Sequence, residues 1–374
     1  MNDNDVKIPE LARTLGLGRR QFLAATTAMA TAGAATAAGA GAAYASPVGN
    51  ANGTLVPASK RGIILYTVRD AISRDPNTTD LASGFKEVLG ELSRIGFRQI
   101  EFAGFNQHAN AEGGNNLNTV AGATLLKSWL DDLGLEAEGN HGSIPSTITD
   151  QTIAAFDTAC EIANILGLGH IGTGNDPTSS AYVADWVAAA ERWDFFGKRA
   201  SEHGLKLYTH NHDIAYSFLL DSGPLDAQGR PTRSSGIRRL EHFLANTDPK
   251  HVFLEMDIFW AHVAQYKHHT YTAPDGSSVM SVFDPAGLVA AQTKRFPLFH
   301  AKDGRKDATQ GNGYVMTPFG EGDIDYSTFF RRVGAKGSHN PMWEQDTAPG
   351  GTANPGQSLA FARTSYDNLA ALRG

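Results

Sequence analysis

Short apolar runs alternate with longer amphipathic segments eight times along this chain, and that alternation constrains the fold more than any other feature. Residues 63–68, 98–102, 135–140, 169–172, 205–210, 251–257, 297–300 and 341–344 read as strands. Residues 79–95, 120–133, 150–166, 179–203, 236–246, 285–293, 326–333 and 357–372 read as helices. In the first of these, Leu81, Phe85, Val88, Leu89 and Leu92 recur at helical spacing on one face, and Gly96 ends the run. Gly134 and Gly204 close two later helices in the same way. Eight successive strand–helix pairs predict a (β/α)8 barrel over residues 61–374, with a Gly/Pro/Asn-rich linker at 46–60. A composition 41% hydrophobic is ample for one large core. No Gly-x-Gly-x-x-Gly follows the first strand, which argues against a dinucleotide-binding open sheet. Two insertions, 221–235 and 262–282, follow strands five and six and are expected to wall a pocket on the active-site face.

The chemistry-bearing residues sit at the strand ends. Reading each strand to its C-terminal end yields Tyr66 and Arg69, Glu101, His141, His210 and His212, Asp257, His300 and Lys302, then Glu344 and Asp346. A strand alternates faces, so His210 and His212 share a side, as do His300 and Lys302. Histidines and carboxylates ending strands five to eight can meet above the barrel. A divalent cation is the simplest occupant, because it relieves the repulsion between the carboxylates. Mixed imidazole and carboxylate ligation without thiolate suits Mn, Fe, Co or Zn.

Six ordered blocks carry a family likeness: Leu65-Tyr66-Thr67-Val68-Arg69-Asp70, Ile100-Glu101-Phe102-Ala103-Gly104, His210-Asn211-His212-Asp213, Met256-Asp257-Ile258-Phe259-Trp260, His300-Ala301-Lys302-Asp303 and Trp343-Glu344-Gln345-Asp346. Together they resemble the xylose-isomerase-like TIM-barrel family, the sugar phosphate isomerases/epimerases, from about Gly62 to the end. The resemblance implies one divalent metal, most often Mn, held by Glu, Asp, His and Glu at the ends of strands five to eight. By block, Asp257, His300 and Glu344 match the last three. At strand five the His-Asn-His block replaces a glutamate. There His212 is assigned to the metal and His210 to proton transfer or substrate contact, although the sequence alone does not separate the two.

These residues imply interconversion of a keto-sugar or related polyol through an enediolate. Glu344, Lys302 or a histidine of the block would move the proton. Glu101 and His141, on adjacent strands, would pair with each other or touch substrate, while Tyr66, Arg69 and Trp260 would contact the sugar. Arg69 has a rival partner in Asp70. His262, His268 and His269 read as solvated insertion residues. Where ketose 3-epimerases use two metal-bound glutamates, only Glu344 remains, so proton abstraction from one side is expected. The alternative is a lyase that cleaves a 3-keto-glycoside by β-elimination on the same metal. A non-catalytic sugar-binding barrel needs no such ligand set, and an abasic-site nuclease needs a basic groove.

The formal charge of −7 and pI near 6.0 provide no basic footprint for nucleic acid. The expected partner is a small sugar or glycoside, and a homo-oligomer is compatible with it. Cys160, the one cysteine, lies in an apolar helical run and reads as core, so no disulfide framework exists. At the N-terminus, Arg19-Arg20-Gln21-Phe22-Leu23 precedes a weakly apolar Ala/Gly/Thr stretch that ends in Ala43-Tyr44-Ala45. This resembles a twin-arginine export signal spanning residues 1–45, with Gly18 where Ser or Thr is usual. A stretch so poor in Leu, Ile and Val makes a poor stable membrane anchor. The expected destination is periplasmic or secreted. Removing residues 1–45 takes Lys7, Arg13, Arg19 and Arg20 against Asp3, Asp5 and Glu10, leaving a charge near −8.

Overall fold

Local chemistry sets where each helix begins and ends. Thr119 caps α2 (Val120–Leu133) by accepting from the Gly122 N–H, and Gly134 closes it in the left-handed conformation. A reciprocal Thr149/Thr152 capping box opens α3 (Asp150–Leu166), and left-handed Gly167 ends it. The preceding helix, α1 (Gly84–Ile95), starts five residues later than its periodicity predicts. Gly84 has φ +75°, which a helix interior does not admit, and the Gln107 side chain accepts from the Phe85 N–H. Leu81 is therefore left outside the helix and exposed.

The computed structural model describes residues 53–333 and 340–374. The export signal read at 1–45 and linker residues 46–52 lie outside them. The rest of the expected linker packs on the barrel: Leu55 and Val56 are buried, and the Leu55 N–H donates to the Leu372 carbonyl. Eight parallel strands close into a barrel: β1 (Gly62–Ile64), β2 (Gln99–Phe102), β3 (Glu136–Gly142), β4 (His170–Thr173), β5 (Lys206–His210), β6 (Val252–Asp257), β7 (Leu298–Ala301) and β8 (Asn340–Trp343). Around it run α4 (Val183–Glu202), α5 (Arg239–Ala245), α6 (Ile258–Lys267), α7 (Pro285–Ala291), α8 (Tyr326–Val333) and α9 (Gln357–Ala371). The (β/α)8 barrel expected from the alternation is thus the observed fold. Among the described residues no helix is long and apolar enough to cross a membrane.

Two local readings need correction. The first strand stops at Ile64, and residues Leu65–Val68 form a 3-10 turn that leaves Tyr66 exposed. Residues expected in an insertion after strand six instead complete α6, so His262 is helical and its Nδ1 lies 2.7 Å from the Ile258 carbonyl. Beyond α6 the insertion is a hairpin, Thr270–Thr272 with Ser278–Met280. The strand-five insertion is a hairpin too, Ser222–Leu225 with Pro231–Arg233. A third hairpin, Asp303–Lys306 with Tyr314–Thr317, follows β7.

Strand parity divides the core. On β6, Val252, Leu254 and Met256 join the large apolar cluster with the helices, while Phe253 packs with Tyr208 and Leu298 in a separate small cluster. Glu255 and Asp257 share the parity of Phe253, and so the barrel lumen. Register aligns Ile64 with Glu101, His210 with Glu255, and Asp257 with His300. Gly172 on β4 is dictated by Tyr208, because a Cβ there would lie 2.4 Å from the Tyr208 carbonyl oxygen and 2.6 Å from its ring.

Candidate metal centre

Two groups of side chains fill the upper lumen, and His300 belongs to both. The deeper group is Glu101, His141, Glu255 and His300. His300 Nε2 lies 2.8 Å from Glu101 Oε2 and 3.2 Å from Glu255 Oε2. His141 Nε2 lies 2.7 Å from Glu255 Oε2 and 3.4 Å from Glu101 Oε1. The Tyr208 hydroxyl donates to Glu101. Both glutamates are fully buried, and burial raises their pKa values, that of Glu255 to about 7. Burial likewise lowers His141 to about 4.

The upper group, at the strand ends, is His210, Asp257, His300 and Glu344. Their ligand atoms lie within 4.8 Å of one another and all four residues are buried. Asp257 divides its carboxylate between two tasks. Oδ1 caps α6 by accepting from the Trp260 N–H at 2.9 Å, while Oδ2 lies 3.1 Å from His210 Nε2. Lys302 Nζ reaches Asp257 Oδ2 at 2.9 Å, Glu344 Oε2 at 2.8 Å and Asp346 Oδ1 at 3.2 Å. Burial opposes the charge on Lys302, yet the three carboxylates raise its pKa. Burial works against Glu344 as well, but Lys302 and His300 hold its carboxyl well below the usual range.

The upper donor set fits a divalent cation. It offers two imidazoles and two carboxylates without thiolate. His300 Nδ1 and Glu344 Oε2 approach to 2.5 Å, and Lys302 Nζ lies 2.8 Å from the same Glu344 oxygen. Buried carboxylates and imidazoles that converge with their ligand atoms within 4.8 Å of one another are stabilised by a cation among them. The deeper carboxylates engage the other edge of His300, the arrangement that fixes the tautomer of a metal-binding imidazole.

The structure brings together Asp257, His300 and Glu344 as expected from the blocks, and it adds His210 rather than His212. The two histidines separate because β5 ends at His210 and the chain then turns into a 3-10 segment, Asp213–Tyr216, so strand parity no longer governs His212. His212 turns instead to Asp176, with Nδ1 3.3 Å from Oδ2. Glu101 and His141 come within 3.4 Å, although the shorter contact of His141 is with Glu255. Arg69 does not pair with Asp70, whose partner is Arg74 at 3.5 Å. Its guanidinium stacks 4.0 Å from the Tyr66 ring and donates to the Tyr66 and Asp346 carbonyls. Trp260 lies beside His212, ring centroids 5.5 Å apart. His268 binds Asp213 at 2.9 Å rather than standing free in solvent. Glu255, Tyr208 and Asp176 were not anticipated. Period two from Asp257 and from His210 points to the first two, and Asp176 lies three residues beyond β4.

The sequence model of the xylose isomerase-like TIM barrel family matches residues 89–363. No curated protein matches the chain. Among solved structures, a sugar phosphate isomerase/epimerase from Parabacteroides distasonis is similar at 20% identity and TM-score 0.58, covering 84% of this chain and 95% of its own. A probable 3-DHS dehydratase from Bacillus anthracis is similar at 14% identity and TM-score 0.53, covering 83% and 98%. D-psicose 3-epimerase from Clostridium cellulolyticum, solved with D-tagatose, is similar at 14% identity and TM-score 0.52, covering 84% and 99%. At these identities the likeness is one of fold. With the family's sequence model matched over most of the chain, this protein belongs to the xylose isomerase-like TIM-barrel family.

Proposed function

We propose that the protein is a metal-dependent isomerase or epimerase acting on a keto-sugar or related polyol through an enediolate. The observation that carries this reading is the convergence of His210, Asp257, His300 and Glu344 at the ends of four successive barrel strands. These four residues would hold the ion. A divalent metal there would supply Lewis acidity toward a substrate carbonyl, which acidifies the hydrogen on the neighbouring hydroxyl-bearing carbon. Lys302 holds the Asp257 and Glu344 carboxylates in place. Tyr66, Arg69 and Trp260 border the entrance, where an aromatic face suits the apolar side of a sugar ring.

A second reading, β-elimination from a 3-keto-glycoside, has support in how the entrance cations are used. Lys302 is committed to three carboxylates and Arg69 to two backbone carbonyls. A phosphate would have to break those contacts, so an uncharged sugar or glycoside suits the site better than a sugar phosphate. In an uncharged 3-keto-glycoside the same enediolate expels the oxygen on the neighbouring carbon. Elemental analysis of the purified enzyme, followed by a screen of ketoses, aldoses and 3-keto-glycosides in deuterated water, tests both readings. Isomerised or epimerised sugar carrying deuterium supports the first, and a released aglycone promotes the second. Full activity in enzyme stripped of all divalent metal overturns the metal-dependent mechanism.

A further inference from the structure

The two histidines at the end of β5 and two residues beyond it serve different ends. His210 enters the four-residue cluster, fully buried. His212 is clamped by a single carboxylate: its backbone N–H donates to Asp176 Oδ1 at 2.9 Å, and its Nδ1 lies 3.3 Å from Asp176 Oδ2. An imidazole that gives Nδ1–H to a carboxylate keeps its lone pair on Nε2. The Asp176 side chain is 10% exposed and that of His212 is 37% exposed, so the anchor is covered while the ring reaches solvent. The His212 ring stands 5.0 Å from the His210 ring and 5.5 Å from Trp260, whose own ring is 5.7 Å from Lys302 Nζ. This oriented imidazole therefore borders the entrance to the candidate metal centre. The alternatives within the cluster are less free: Glu344 is buried against Lys302 and His300, and Lys302 is held by three carboxylates.

We propose that His212, oriented by Asp176, is the group that takes and returns the carbon-bound proton of the substrate. This rests on the enediolate reading above. The Nε2 lone pair forms the new N–H bond as the C–H bond beside the carbonyl breaks. The C–H electron pair becomes the carbon–carbon double bond, and the carbonyl π pair moves onto its oxygen. Return of the proton to either carbon of the enediolate restores a carbonyl on the other, so no oxidant or reductant is consumed. In deuterated water the hydrogen on Nε2 exchanges through the exposed edge of the ring. Substrate C–H then becomes C–D, and the hydrogen leaves as HDO.

The test uses full-length, Mn-loaded enzyme with D-fructose and a 3-keto-glucoside as probes in deuterated water, and deuterium at carbon is followed by NMR. His212→Asn is expected to retain the wild-type metal content and melting temperature while exchange falls by about 10²–10⁴-fold, the usual contribution of a positioned acid/base. Asp176→Asn should slow exchange at least tenfold by releasing the ring, as its role is positioning. Added imidazole should restore exchange to His212→Gly, which a merely structural histidine would not allow. Exchange in His212→Asn within threefold of wild type overturns the proposal. So does loss of metal from that variant, which would return His212 to the ligand set. If the wild-type enzyme exchanges hydrogen in neither probe, the enediolate reading itself fails and this proposal fails with it.

Discussion

At the scale of single residues, the upper cluster sets the sharpest expectations. Asp257→Ala and Glu344→Ala should each lose most bound metal, while circular dichroism still reports a folded barrel. Retention of a full metal complement by both variants would place the site elsewhere. Glu101 and Glu255 act one step further out, on the Nε2 edge of His300. Glu255→Gln should weaken metal affinity about 10–100-fold, the range found when an outer partner of a metal-binding histidine is altered. Calorimetric titration of the apoenzyme measures this without a substrate, and unchanged affinity would show that the deeper group does not orient His300. The expectation of proton abstraction from one side rests on Glu344 standing alone where ketose 3-epimerases use two metal-bound glutamates. With His210 in the cluster, His212 is the imidazole of the block left available, and a single proton carrier there keeps to that expectation.

At the scale of elements, much of the fold was legible because periodicity is a local property. The α2 and α3 boundaries coincide with those read from sequence, since capping residues and apolar spacing agree there. The α6 helix was absorbed into an insertion because its apolar residues lie on several faces and its N-cap, Asp257, doubles as a site residue. Strand-end carboxylates and histidines were legible for the same reason as the strands, but Glu255 lay one period below the end and was passed over. Asp176 works through His212, a contact between neighbouring loops that spacing does not encode. The lumen carries its own stability signature. His170 on β4 is buried, with Nδ1 3.1 Å from the Glu138 carbonyl, and burial, then the nearby Lys206 charge, lower its pKa from 6.5 to about 4. Its folded-state value lies below its unfolded one, so the fold binds fewer protons in that interval. The contribution of His170 is complete above pH 6.5 and is lost as pH falls toward 4, by roughly 3 kcal/mol at the acid end. Denaturant titrations should show a shallower loss over that window for His170→Asn than for wild type; parallel curves would remove His170 from the account. The β4–β5 contact is equally specific. Gly172→Ala drives a methyl group into Tyr208 and should cost about 1–3 kcal/mol of stability, the usual penalty for overpacking, read as a lower melting temperature.

At the scale of the whole molecule, the barrel and every candidate site residue fall within the compact unit Ser46–Gly374. A protein beginning at Ser46 is therefore expected to fold with the melting temperature and metal content of the longer chain. The preceding segment has a different task in this reading. Its paired Arg19-Arg20, the weakly apolar run after Phe22-Leu23 and the Ala43-Tyr44-Ala45 pattern support export by the twin-arginine route. That route carries proteins already folded, so the buried cluster of His210, Asp257, His300 and Glu344 would close around its ion before translocation. Replacing both arginines by lysine preserves the charge and removes the guanidinium pair. The expected result is uncleaved precursor retained inside the cell, with its metal already bound, while the wild-type chain is recovered outside with Ser46 at its N-terminus. Fractionation, N-terminal sequencing and elemental analysis read the three quantities separately. Normal export of the double-lysine variant refutes the twin-arginine assignment. A retained precursor that is folded but lacks metal would keep the route and overturn the order of loading.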